Sequence, residues 1–469
     1  MKEVSLPKSA TFSALPPIWP NSLLAEIREL QQHSSKHLVI LDDDPTGTQT
    51  VHDIPLLTSW EIEQLRQEFD RSKVFFILTN SRSMAEEDAC QLSIEIGQNL
   101  VAAAEQAGVD FFVLSRSDST LRGHYPAEVD ALCTGIGRTY DATIMVPFFQ
   151  AGGRFTLHNT HYVQQGAELV PAAHTEFAKD KAFPFSSSYL PSYVAEKTGG
   201  RVAAEQVVGI SIETIRKGGP TAVKQQLVAT PKGSVIVINA CDPRDLEVAV
   251  MGLHQAQAAG KSYIYRTAAS FVRILAGMEE TPLLNAKQMA IDTPVGGILF
   301  VGSHIKKSSQ QLSKALELPG IFPIEIEVAR LLNPSTQQIA IDEYLNTISE
   351  ALAQGKNVVA YTSRTLVAAP TAKRSLSISR IISESICEVV QRLALQPRFL
   401  IAKGGITSND IATKGLQVKR ALVAGQLQAG VPVWKLGPES KFPGMHYVVY
   451  PGNVGGEEGL ADALQAFEY

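Results

Sequence analysis

The chain has 469 residues, of which 45% are hydrophobic and 19% charged, with a formal net charge of −5. That length predicts two or three domains with substantial cores, and the balance excludes a disordered chain and any general affinity for nucleic acid or an anionic membrane. The longest apolar runs, such as SVIVINA and GGILFV, are strand-sized and fall well short of a membrane span.

In chain order, MKEVSLPKSATFSALPPIWP has no apolar stretch of signal-peptide length and reads as a flexible or loosely packed lead-in. Apolar, β-rich runs predict strands at 37–41, 74–78, 110–114, 143–147 and 234–239. Amphipathic stretches predict helices at 60–70, 84–107 and 126–136. The second of these begins with acidic residues and ends at Gly108. The alternation resumes after residue 290, with strands expected at 297–301, 357–361, 399–402 and 446–450 and helices at 308–317, 341–354, 376–395 and 407–415. Such punctuation predicts two α/β domains with mostly parallel sheets and a boundary near 275–290. Cys90, Cys133, Cys241 and Cys387 are scattered, with no C-x-x-C pair. They read as reduced core residues of a cytoplasmic protein, not as a disulfide framework or zinc site.

Chemistry concentrates at the predicted strand ends. LVILDDDPTGTQTVHD, residues 38–53, runs from a strand into three adjacent carboxylates. In open α/β sheets this is where ligands bind. Asp42, Asp44 and Thr46 fit D-x-D-x-T, the first motif of haloacid-dehalogenase-like phosphatases, with Asp42 as nucleophile and Asp44 as acid/base. The late acidic pair of those enzymes is absent from the sequence. A solvated Asx-rich turn is the plainer alternative. FFVLSRSDSTLRGHYPAE gathers Arg116, Asp118, Ser119, Thr120, Arg122 and His124 within nine residues. Guanidiniums beside hydroxyls suit a carboxylate-bearing, hydroxylated ligand, or else a structural ion-pair loop. TNSRSM sets Arg82 beyond a third strand end. His158 and His161 are three apart in QAGGRFTLHNTHYV, which reads as loop and strand, and no metal site is assigned there.

Three glycine turns mark the C-terminal half. GGILFVGSHIKKSSQQL nearly spells a phosphate loop, but His304 stands where Lys belongs, so it is not a Walker A motif. FLIAKGGITSNDIATKGL carries Lys403, Gly404, Gly405 and Thr407, and YVVYPGNVGGEEGL carries Gly452, Asn453, Gly455 and Gly456. Successive Gly turns at strand ends point to a cradle for nucleotide phosphates.

Taken together, these motifs resemble the four-carbon acid sugar kinases. That family's D-D-x-T-G appears as Asp43–Gly47, and its K-x-D-S-T-L-R-G as RSDSTLRG, with Arg116 for Lys. NSRS around Arg82 matches its T-R-S-like element, and YRTAASFV the end of its first domain. GGIT, with Ile406 for Glu, and PGNVG match its C-terminal elements. The resemblance implies a sugar-acid-binding domain over 1–280, a nucleotide-binding domain over 281–469 and an active-site cleft between them. It implies substrate contacts from Asp43, Asp44, Arg82, Arg116, Asp118, Ser119, Thr120 and Arg122. Arg82 and Arg116 would hold the carboxylate, and Asp44 or Asp118 would take the proton. ATP would meet Ser303, Gly404, Gly405, Ile406, Thr407, Gly452 and Asn453, with Mg²⁺ bridging the phosphates. The implied reaction is ATP-dependent phosphorylation of the terminal hydroxyl of a threonate- or erythronate-like acid. The expected partners are that acid and ATP, with no nucleic acid and no membrane, and a homodimer is compatible with the sequence. A phosphatase using Asp42 and a non-catalytic sugar-acid-binding protein are the alternatives.

Overall fold

The computed structural model describes residues 3–289, 293–302, 306–364, 372–452 and 454–467. The chain forms two compact units, one of residues up to 51 with 59–280, the other of 52–58 with 281 onward. The segment 52–58, which the sequence leaves inside the first domain, therefore belongs with the second unit.

The first unit is built on seven parallel strands. Their order in space is Val208–Ile210, Ser234–Ile238, Ala142–Val146, Tyr263–Thr267, Asp110–Arg116, Lys36–Asp42 and Val74–Leu78. Strands of such a sheet are covered on both faces, so they read as continuous apolar runs. Leu38, Val39, Ile40, Phe75, Phe76, Val113 and Leu114 are all fully buried. Chain order and spatial order together fix the site. From Lys36–Asp42 the chain passes to Val74–Leu78 on one side. From Asp110–Arg116 it passes to Ala142–Val146 on the other. The two central strands thus part company at their carboxyl ends, a topological switch point that opens a crevice for ligand.

A smaller antiparallel sheet joins Leu6–Pro7, Glu168–Pro171, Thr160–Gln165 and Arg154–Leu157. The N-terminal lead-in is therefore not loose. Leu6 pairs with Leu169, Lys8 donates to Gln164 at 2.8 Å, and the Glu3 carboxylate accepts from the Ser187 hydroxyl and the Ser188 and Tyr189 amides.

In the second unit five strands run parallel, in the order Ile321–Ile326, Asn357–Thr362, Ile298–Val301, Leu400–Lys403 and His446–Tyr450. Val431–Leu436, Arg420–Gln428 and Ile54–Leu57 extend this sheet antiparallel. Its core gathers Leu299, Val301, Val359, Ile401, Val433, Val448 and Leu464. All four cysteines are free. Cys241 and Cys387 are buried as expected, whereas Cys90 and Cys133 are partly exposed. Among the described residues, no helix is long and apolar enough to cross a membrane.

Candidate active site

The three aspartates separate by depth. Asp42 is 0% exposed, Asp43 is 2% exposed, and both lean on the Arg116 guanidinium, 2.9 and 3.3 Å from Nη1. Asp43 also accepts from the Ser117 hydroxyl at 2.7 Å. Burial pushes the Asp42 carboxyl up to about 7, and the single cation it shares with Asp43 only partly opposes this. Gly47 is obligatory here, because a Cβ would sit 2.1 Å from Asp42 Oδ2 and 2.4 Å from Arg116 Cζ. Asp42 is thus out of reach of any substrate, which removes the phosphatase nucleophile. Arg116, itself buried, holds the loop together instead of facing solvent.

Asp44 turns outward. One oxygen accepts from the Thr46 amide at 2.8 Å and the Thr46 hydroxyl, and the other pairs with Arg82. Arg82 bridges to Asp118, with Nη1 3.3 Å from Oδ1. Backbone bonds tie these loops together. The Thr79 amide and hydroxyl donate to the Asp42 carbonyl, each at 2.9 Å, and the Arg82 amide donates to the Asp43 carbonyl at 3.2 Å. Burial works against ionisation of Asp44, yet Arg82 and Thr46 hold it below the ordinary carboxylate range. Asp118 behaves likewise, with burial outweighed by Arg82 and Arg122. Both carboxylates are therefore charged at neutral pH.

The RSDSTLRG loop folds around Asp118. Its Oδ2 accepts from the Thr120 amide at 3.2 Å, the Thr120 hydroxyl, and Arg122 Nε at 2.9 Å. Arg122 Nη1 also reaches Asp180 at 3.4 Å. Leu121 sits at φ 69, a left-handed conformation costly for a branched side chain. The Tyr193 hydroxyl, donating to its carbonyl at 2.9 Å, helps hold it there. Ser119 gives its carbonyl to His161 Nε2 at 2.8 Å and keeps its hydroxyl unbonded among the described residues. A carbonyl can only accept, so His161 carries its proton on Nε2 and takes the Thr156 hydroxyl on Nδ1, 3.0 Å away. Burial lowers this imidazole to about 4, so it is a neutral strut.

Asp44, Arg82, Asp118, Thr120 and Arg122 thus form one hydrogen-bonded cluster. Arg116 and Asp43 form a second layer beneath it. Three contributors are not evident from the sequence. Glu128 is buried, accepts from the Ser81 hydroxyl and is pushed up to about 7 by burial. Asp180 and Arg154 reach the cluster from the segment that follows Ala142–Val146. Only the spacing of YPAE after the loop could have flagged Glu128.

The glycine turns of the second unit stand at neighbouring strand ends. Val301 pairs with Lys403, and Lys403 with Tyr450. A Cβ on Gly302 would lie 2.3 Å from the Thr407 hydroxyl, so glycine is what lets these two turns meet. Lys403 is 0% exposed and donates to the carbonyls of Pro451 at 2.7 Å and Gly452 at 3.2 Å. Burial, with Lys307 adding to it, pushes this ammonium down to about 7. Ile406 is exposed. Ser303, His304 and Asn453 lie outside the described residues.

Residues 38–275 match a family model described as a sugar-binding N-terminal domain, and residues 298–460 one described as a nucleotide-binding C-terminal domain. The chain belongs to the four-carbon acid sugar kinase family. Relatives of this kinase family member include a D-threonate kinase of Bordetella bronchiseptica, 23% identical over 403 residues, 84% of this chain and 86% of the relative. A D-erythronate kinase of Heliobacterium modesticaldum is 24% identical over 407 residues, 84% of this chain and 83% of the relative. The solved structures of a putative tRNA synthase of Salmonella typhimurium and of a protein of Haemophilus influenzae are similar in fold to this chain, with TM-scores of 0.67 and 0.60. Both are 17% identical and match over 93% and 92% of this chain and 100% of theirs.

Proposed function

We propose that the protein is an ATP-dependent kinase that phosphorylates the terminal hydroxyl of a four-carbon sugar acid of the threonate or erythronate type. The observation that carries the reading is the Asp44–Arg82–Asp118–Arg122 cluster at the switch point of the first unit. It offers ionised acceptors for hydroxyls and cations for an acid within one set of hydrogen bonds. Relatives named for D-threonate and D-erythronate kinase activity support it.

Asp44 is the better base of the two carboxylates. Asp118 already accepts from Thr120 twice, Arg122 twice and Arg82, which fills its four lone-pair sites. Asp44 accepts from Thr46 twice and Arg82 once, which leaves an acceptor position for a substrate hydroxyl. Its lowered proton affinity makes it a weak base, which suits phosphoryl transfer, where positioning and charge neutralisation outweigh proton abstraction. Ser119, Thr120 and Arg122 would hold the remaining hydroxyls, with Asp118 fixing Thr120 and Arg122 in place. Asp43 and Arg116 would act from beneath by fixing the loop.

ATP fits the turns of the second unit. Gly302, Gly404, Gly405, Ile406, Thr407 and Gly452 would line its phosphates, and Lys403 beneath them would hold the Pro451–Gly452 turn in shape. Among the described residues no group of three His, Cys, Asp or Glu side chains is placed to hold a metal ion. That suits a Mg²⁺ carried largely by phosphate oxygens, where it would neutralise charge on the transferred group.

The test is incubation with Mg-ATP and a panel of four-carbon acids while ADP is measured. ADP formation with at least one acid is expected, and background rates with all of them would refute the proposal.

A further inference from the structure

Among the described residues, no carboxylate pairs with the Arg154 guanidinium. This residue opens the hairpin of Arg154–Leu157 and Thr160–Gln165, and its backbone is bonded on both sides. Its amide and carbonyl pair with Phe149 at 2.9 and 3.1 Å, and it stands opposite Val163 in the hairpin register. His161, on the return strand, anchors the hairpin to the Ser119 carbonyl, and Thr156 pairs with Ala240. The base of the side chain is therefore fixed beside the Asp118 loop.

Its head group is another matter. Arg154 lies 5.4 Å over the Phe177 ring, and Arg122 lies 5.2 Å over the same ring. Nη1 donates to the Gly152 carbonyl, and Nε is buried with no acceptor. Asp118 and Glu176 act on Arg154 through space, but no carboxylate of the described residues forms an ion pair with it. Burial depresses its proton affinity, with Arg122 adding to the effect. The other guanidiniums of the site differ. Arg82 holds Asp44 and Asp118, Arg116 holds Asp42 and Asp43, and Arg122 holds Asp118 and Asp180. A ligand carboxylate would have to compete with these partners at each of them. At Arg154 it would supply a missing counter-charge to a planar donor fork.

We infer that Arg154 binds the carboxylate of the sugar acid and so selects acids over neutral polyols. This rests on the kinase reading. Under it, Arg116 gives up the carboxylate role, and Arg82 serves mainly to hold Asp44 and Asp118.

The experiment compares wild type, Arg154→Met and Arg154→Lys. Binding of threonate and erythronate is measured by calorimetry without nucleotide, and turnover is measured on these acids and on the matching tetritols. Arg154→Met should weaken acid binding roughly tenfold or more. It should lower kcat/KM for the acid by a similar factor and lower it far less for the tetritol, with Arg154→Lys in between. Acid affinity within twofold of wild type in Arg154→Met would overturn the inference, as would equal losses for acid and tetritol, which mark a packing role. If Arg154→Met does not fold, Arg154→Lys decides by the same acid-to-tetritol ratio. A wild-type protein that neither binds nor turns over any acid refutes the kinase reading and this inference together. When wild type does both, the kinase reading stands and the variants alone decide whether Arg154 holds the carboxylate.

Discussion

Arg116→Met separates a buried structural cation from a substrate ligand. Asp42, Asp43 and Arg116 are at most 4% exposed, and the guanidinium touches both carboxylates. Removing one side of a buried ion pair costs about 3–5 kcal/mol, because the partners are left buried without their counter-charge. In a unit of this size each kcal/mol shifts the melting temperature by ~2–4 °C, so Tm should fall by about 6–20 °C. Asp42→Asn in the same background should recover part of the loss, since it removes one of the two buried carboxyls left without a cation. Thermal unfolding followed by circular dichroism gives Tm, and initial rates on the folded fraction give KM for the acid, which should stay near wild type. A variant with wild-type Tm and a KM raised tenfold would place Arg116 on the ligand and refute this reasoning.

Asp44→Asn should lower kcat far more than KM, and Arg82→Ala should lower kcat and raise KM together, because it frees both carboxylates. Unchanged steady-state kinetics in both would move the site elsewhere. Asp42 and Glu128 are both pushed up to about 7 by burial. These two groups therefore bind more protons in the folded state between about pH 4 and 7, and their contribution to stability should fall as pH rises through that window, while buried His161, lowered to about 4, contributes with the opposite sign. Urea midpoints followed against pH should fall less, or rise more, in Asp42→Asn than in wild type across this window; identical slopes would contradict it. Lys403, pushed down to about 7, has the opposite sign. This group binds more protons in the unfolded chain between about pH 7 and 10, so its contribution to stability should rise there, and midpoints should rise less, or fall more, in Lys403→Met than in wild type.

Much of the fold was legible because its central strands are buried on both faces. HLVIL, VFFIL and SVIVIN are continuous apolar runs, and each is a strand. What escaped was built on other patterns. Arg420–Gln428 alternates buried and half-buried residues, so it lacks a continuous run. Ile321–Ile326 contains a proline and a glutamate and lies at the sheet edge. At the site, DDD and RSDSTLRG announced themselves by composition, but composition carries no depth. Nothing in three consecutive aspartates says that two point inward to Arg116 and the third outward to Arg82. Arg154 and Asp180 were illegible because they converge on Asp118 only after the hairpin folds back.

The most direct test of the central claim is ADP release by the full-length protein with Mg-ATP and single four-carbon acids, with Asp44→Asn in parallel. ADP formation that requires an acid and collapses in Asp44→Asn is the predicted result. Phosphate release without any acid, or acid-dependent turnover indifferent to Asp44, would contradict it.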